Sequence, residues 1–474
     1  MKIQVGYGRG FQEFDVNEKN LAGVLLPNPV DTCRPECGEV VGDSTKFNSG
    51  ASHAAVGSGA SHAAVGSGAS NAAVGSGASH AVVGSGASHA AVGGAEAVTL
   101  ALREPIGTRT LRSIVRSGEK VAIVTSDNTR PFPGHIVLPQ AIGELESAGI
   151  PPADITVTVA LGIHRPLGAD EIRALVGDAT YGRVRCENSK PDDFVRLGVT
   201  SRGTPVEITR AVAAADRRVT LGNIEYHYFA GYSGGAKALI PGVSTRAAIQ
   251  SNHRMMVRPE AAAGRIDGNP VRADIDEVLE YCPIDFIVNV VLDEHKKIVR
   301  AFAGHPIAAH RAGCAFLDCL YSKRLPGKSD IVIASQGGSP KDVNLYQLQK
   351  ALDNAKYAVR DGGVVILAGT CDEGMGEPVF EEWMTSAASP ESIIERIGSD
   401  FQLGGHKAAA IAMTLQRADI YLVSEMDADF VGGIFMRPYK TVREALAAAL
   451  EKLGPDASVL VMPYAGSTLP IIEP

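Results

Sequence analysis

From residue 120 onward the chain keeps returning to one pattern. Short apolar runs (VAIVTSD, ITVTVALG, RRVTLGN, FIVNVVLD, DIVIASQGG, GVVILAG, ADIYLVSEM, ASVLVMP) alternate with amphipathic stretches closed by glycine, such as PQAIGELESAG, GADEIRALVG and TVREALAAALEKLG. A run that is apolar at every position is covered on both faces, and helices between such runs supply the cover. The pattern predicts an α/β fold with mainly parallel sheets. The strand–helix series ends near residue 270 and a second begins near residue 284, with FIVNVVLD and KIVRAFAG as a hairpin around Glu294 and His295. We therefore expect an N-terminal domain over residues 1–275 and a C-terminal domain over residues 276–474, hinged near residue 275. Two such sheets facing a central cleft place a ligand at the carboxyl ends of their strands.

One stretch departs from this pattern. Residues 48–94 repeat the nine-residue unit GSGASHAAV and contain no Lys, Arg, Asp or Glu. Glycine repeats of this length build calcium-binding β-rolls only with Asp at a fixed position. Here His53, His62, Asn71, His80 and His89 stand there instead, which excludes calcium. The composition predicts a flexible loop insertion rather than a compact roll or a histidine store for nickel. The insertion lies between a β region (KIQVGYG, FQEFDV, LAGVLL) and a helical stretch (AEAVTLALREP), before every motif discussed below.

Charge and cysteine content narrow the partners. Net charge is -8, and no block of Lys or Arg marks a nucleic-acid or anionic-membrane footprint. No run of about 18 apolar residues exists, and the start, MKIQVGYGRGFQEFDV, lacks a signal-peptide core. Seven cysteines spread over the chain point to a reducing compartment, hence the cytoplasm, rather than to a disulfide framework. Cys33 and Cys37 are close, but no second pair completes a zinc site.

Polar residues gather at the predicted strand ends. VAIVTSD runs into Asp127 and Arg130, ITVTVALG into His164, and RRVTLGN into His227 and the stretch GYSGGAK. His253 follows soon after. Strand ends on one edge of a parallel sheet converge, so Asp127, Arg130, His164, His227, Lys237 and His253 are expected at one site. Gly234 and Gly235 let the backbone approach a ligand and offer N–H groups to an anion. Lys237 is suited to neutralising a phosphate or forming a covalent adduct. GYSGGAK is not a Walker A loop, because Ala238 follows the lysine, and no GxGxxG fingerprint is present. In the second half, Gln347 and Lys350 fall three apart on one predicted helix, placed to bind a carboxylate across the cleft.

Together, DNTRP, GIHRP, EYHYFAGYSGGAKALIPG, SNH and GGSPKDVNLYQLQKAL resemble the nickel-dependent lactate racemases and their 2-hydroxyacid racemase relatives. The resemblance covers essentially the whole chain outside the repeat. It implies a nickel-pincer nucleotide (nickel pyridinium-3,5-bisthiocarboxylic acid mononucleotide) tethered to Lys237 through a thioamide, with His253 as the protein ligand to Ni. It further implies His164 and His227 as paired acid/base residues, one for each enantiomer. Asp127 would orient the site near the nucleotide, and Arg130, Gln347 and Lys350 would contact substrate or cofactor anions. The activity implied is racemisation of a small 2-hydroxyacid by reversible hydride transfer, with cofactor biosynthesis proteins as partners. An aromatic residue over the cofactor is expected too, and Trp383 is the single Trp. The resemblance fixes neither the 2-hydroxyacid nor the oligomeric state. Two other readings of the same residues are a Lys237 Schiff-base lyase or aldolase and a non-catalytic nickel- or nucleotide-binding protein.

Overall fold

A computed structural model describes residues 1–33, 93–293, 295–402 and 404–473. Residues 48–92 of the repeat, and with them the choice between loop, roll and nickel store, lie outside the described residues, as does Cys37.

Two six-stranded sheets organise the described chain. The first runs in the order Ile298–Gly304, Phe286–Leu292, Arg217–Asn223, Val121–Ser126, Ile155–Ala160 and Arg185–Asn188. All its neighbours are parallel except the hairpin of Phe286–Leu292 with Ile298–Gly304. The second runs Arg437–Tyr439, Asp419–Val423, Val359–Ala368, Ser329–Ser335, Val459–Met462 and Leu21–Val24, all parallel. The continuous apolar runs are the reason. Every residue of Phe286–Leu292 and of Val459–Met462 is buried, so both faces need helices.

Each sheet has a point where the strand order reverses. In the first, the chain leaves Val121–Ser126 toward Arg185–Asn188 and returns on the other side as Arg217–Asn223. In the second, it leaves Ser329–Ser335 toward Arg437–Tyr439 and returns as Val459–Met462. Reversal opens a crevice at the carboxyl ends, where the crossover helices diverge.

Three expectations change. The hairpin at 286–304 extends the first sheet, because Phe286–Leu292 pairs with Arg217–Asn223. The chain therefore passes to the second sheet after Gly304, later than the expected 275/276 division, while Leu21–Val24 joins the second sheet from the N-terminus. Ile275 lies fully buried inside the Pro270–Glu277 helix, which is no place for a hinge. Finally, Cys33 is joined to Cys319 by a disulfide, contrary to the expectation of free thiols. The thin spread of cysteines hid a pairing that depends on the chain returning to itself after 286 residues.

Candidate active site

Both reversal points open onto one cavity of about 360 Å³. Asp127, Arg130, His164, His227, Gly234, Gly235, Lys237, His253, Gln347 and Lys350 all line it. The segments that follow strands of the first sheet supply the residues up to His253, and the helix Leu345–Ala358 supplies Gln347 and Lys350.

Asp127 follows its strand directly and is buried. Its Oδ1 accepts from Thr129 N–H (3.3 Å) and Thr129 Oγ1 (2.7 Å), and its Oδ2 lies 2.6 Å from His164 Nδ1. Burial alone would raise the Asp127 pKa; the hydrogen bonds from His164 and Thr129 outweigh it and leave the pKa lowered. An ionised carboxylate accepts only, so His164 carries a proton on Nδ1, and its neutral form presents an Nε2 lone pair. Asp127, expected near the nucleotide, is thus engaged with the imidazole.

His227 has the opposite arrangement. Its strand, Tyr226–His227, folds back on Gly231–Tyr232, and Ala230 N–H donates to His227 Nδ1 at 3.3 Å. A backbone donor on Nδ1 leaves the proton of the neutral ring on Nε2. Enclosure by protein, then the charges of Lys237 and Arg130, push the His227 pKa well down, so the ring is neutral. The site therefore holds one imidazole with a free lone pair and one with a free N–H.

The GYSGGAK loop positions Lys237. Gly234 and Gly235 have φ of 76° and 60°, a region that costs other residues strain. A Cβ on Gly234 would lie 2.8 Å from Asn289 Oδ1, and one on Gly235 would lie 3.0 Å from the His310 ring. The Gly235 N–H donates to Asn289 Oδ1 (2.9 Å), so this group serves the fold and is not offered to an anion as expected. Beneath the loop, the fully buried Arg272 donates to Ala230 O (3.2 Å) and Tyr232 O, and His310 Nε2 donates to Ser233 O (2.8 Å). The Lys237 amine faces the cavity, 6.0 Å from the centre of the Phe229 ring. Enclosure, then Arg130 and Arg272, lower its pKa well below that of a free lysine.

His253 ends the helix Arg246–His253 and packs edge-on against Phe229 at 4.9 Å. Its Nδ1 lies 3.0 Å from Asn252 Oδ1, while the buried Asn252 donates from Nδ2 to Asp274 Oδ2 at 2.7 Å. The Asp274 contact fixes the amide orientation and makes His253 Nδ1 the donor. Nε2 is left with a free lone pair, because enclosure lowers the pKa and favours the neutral ring. Arg130 lies 3.7 Å from Glu225 Oε1, half-exposed at the mouth. Lys350 reaches into the cavity; enclosure lowers its pKa and Glu225 opposes the shift.

The sequence reading missed several lining residues: Glu225, Tyr228, Phe229, Tyr346, His406 and Lys407. The aromatic lining residues are Tyr226, Tyr228, Phe229, Tyr321 and Tyr346. Trp383 is not among them. It is buried between Gly405, over which a Cβ would strike its ring, and Arg396, which stacks on it at 4.1 Å.

Comparison with known proteins identifies the family. The lactate racemase N-terminal domain matches residues 66–264, and the lactate racemase C-terminal domain matches residues 326–469. The lactate racemase of Thermoanaerobacterium thermosaccharolyticum is 32% identical over 378 residues, 78% of this chain and 88% of the relative. That of Lactiplantibacillus plantarum is 32% identical over 379 residues, 78% of this chain and 89% of the relative. The apoprotein structure of the Thermoanaerobacterium enzyme superposes with a TM-score of 0.80 at 27% identity, covering 100% of both chains. A Thermotoga maritima protein shares the fold at a TM-score of 0.60 and 17% identity, over 80% of this chain and 98% of that one. The chain belongs to the lactate racemase family, a family of isomerases.

Proposed function

We propose that the chain interconverts the enantiomers of a 2-hydroxyacid, lactate or a close relative, using a nickel-pincer nucleotide tethered to Lys237 with His253 as the protein ligand to nickel. The residues present suit that group. A neutral Lys237 amine is the form that makes an amide-type bond, and His253, held through Nδ1, offers Nε2 to a metal. Among the described residues, no cluster of three His, Cys, Asp or Glu is arranged to hold a metal. A nickel ion here would bring its other donors with it, as a pincer does. When bound, the nucleotide supplies a reversible acceptor for the hydrogen on C2.

The chain's own task is the proton on the substrate hydroxyl. The observation that carries the reading is the complementary pair of imidazoles. With its lone pair on Nε2, His164 removes the hydroxyl proton of one enantiomer, and Asp127 stabilises the imidazolium that forms. His227 is the second acid/base group: it returns a proton to the oxygen only as the imidazolium, so the proton taken up by His164 passes to it through solvent before the other face is restored. The reverse reaction exchanges the two roles. Arg130, Gln347 and Lys350 hold the carboxylate, so the planar keto acid turns about a fixed anchor.

The test is to purify the full chain from cells that also supply the cofactor-building proteins. Nickel content, the mass of the Lys237 peptide and interconversion of a 2-hydroxyacid panel are then measured. Bound nickel, a mass increment on that peptide and turnover of one acid are expected. No nickel, no adduct and no turnover would contradict the proposal. The depressed Lys237 pKa also suits a Schiff-base lyase; borohydride with a carbonyl substrate would then trap a reduced adduct on Lys237, which racemisation does not predict.

A further inference from the structure

Lys407 is a buried amine at the cavity wall without a carboxylate partner. It is 5% exposed, on the helix Gly405–Leu415. Its Nζ donates to Tyr346 O (2.6 Å) and Gln349 Oε1 (3.2 Å) and lies 4.4 Å from the centre of the Tyr346 ring. Among the described residues no carboxylate lies within 4.0 Å of it. Asp353 is nearby, but its oxygens are taken by Gln349 Nε2 (2.6 Å) and Lys356 Nζ (2.8 Å). An ammonium has three donors, so one remains. Beside it, His406 is 7% exposed and accepts from Gly404 N–H at Nδ1 (3.0 Å), which leaves Nε2–H as a second donor. Both side chains line the cavity. Enclosure, then Lys350, disfavours the charged amine, an anion on the remaining donor would favour it, and one substrate carboxylate is already provided for by Arg130, Gln347 and Lys350.

Resting on the racemase reading above, we propose that Lys407 and His406 determine specificity by binding a second anionic oxygen group, carried by the substituent on C2. The preferred substrate class is then a 2-hydroxydicarboxylate rather than lactate itself. The same donors would suit the phosphate of a nucleotide, and the experiment separates the two sources. Calorimetry on the nickel-loaded full chain compares 2-hydroxysuccinate with lactate, in wild type and in Lys407→Met. In parallel, nicotinate mononucleotide is titrated into the nickel-free wild-type and variant chains.

The expected result is tighter binding of 2-hydroxysuccinate by wild type. Lys407→Met should then cut the ratio of the two affinities about 30-fold or more, the usual cost of truncating one partner of an enclosed charge pair. His406→Gln, which keeps an N–H donor, should reduce the ratio less than His406→Phe. A merely structural Lys407 would weaken both acids alike and leave the ratio unchanged. That outcome, or no preference in wild type, or a loss confined to the mononucleotide, overturns the proposal. Selective binding without turnover of any acid would instead count against the racemase reading.

Discussion

Asp127 and His164 carry the sharpest residue-level consequence. Asp127→Asn keeps the shape of the pair but lets the imidazole take the wrong tautomer, and comparable changes elsewhere cost up to about 10⁴ in kcat. We expect kcat for racemisation to fall at least 100-fold with KM little changed; unchanged kcat would remove Asp127 from the proton path. A second residue-level prediction concerns acid. His406 is enclosed and its pKa pushed down to about 3, first by burial and then by Lys407, and His310 is lowered by burial and by Arg272 and Arg311. Unfolded, both titrate near 6.5. The unfolded chain therefore binds more protons below that pH, so this stability is complete above about 6.5 and is lost as pH falls toward about 3. The urea midpoint should drop between pH 6.5 and 5, less steeply in His406→Phe. A flat profile would contradict the burial argument. The sequence made Asp127, His164 and His227 legible because each follows an apolar strand. His406 and Lys407 gave no such signal: GGHKAAA opens a helix whose face toward the cavity is set by packing against Leu345–Ala358.

At the scale of elements, the GYSGGAK loop joins the first sheet to the cofactor lysine. The sequence marked its glycines as special for approach to a ligand; the structure adds a packing reason and engages the Gly235 N–H with Asn289. Their backbone is left-handed and packed against Asn289 and His310, contacts supplied by residues more than fifty positions away. Gly235→Ala combines strain at φ 60° with a crowded Cβ and should cost about 1–3 kcal/mol. It should also lower the fraction of chains modified at Lys237, measured by intact mass. Full stability and full modification would show that the loop tolerates a side chain. The strands themselves were legible as apolar runs. Their sheet membership was not, because pairing of 286–292 with 217–223 is a long-range choice that no local pattern encodes.

At the scale of the molecule, two doubly wound sheets turn their reversal points toward one cavity, and every lining residue lies at position 126 or later. Deleting residues 48–94 should therefore leave kcat within about twofold of the full chain; a folded deletion variant without activity would give the repeat a role in the site. The central claim is that the two imidazoles move only the hydroxyl proton while the hydrogen on C2 leaves and returns as hydride. The most direct test uses substrate deuterated at C2, racemised in ordinary water by the nickel-loaded chain, with the product analysed by mass. Retention of deuterium in both enantiomers is the predicted result. Its wash-out into solvent would mean that C2 is deprotonated by a side chain, and the account of the site would be wrong.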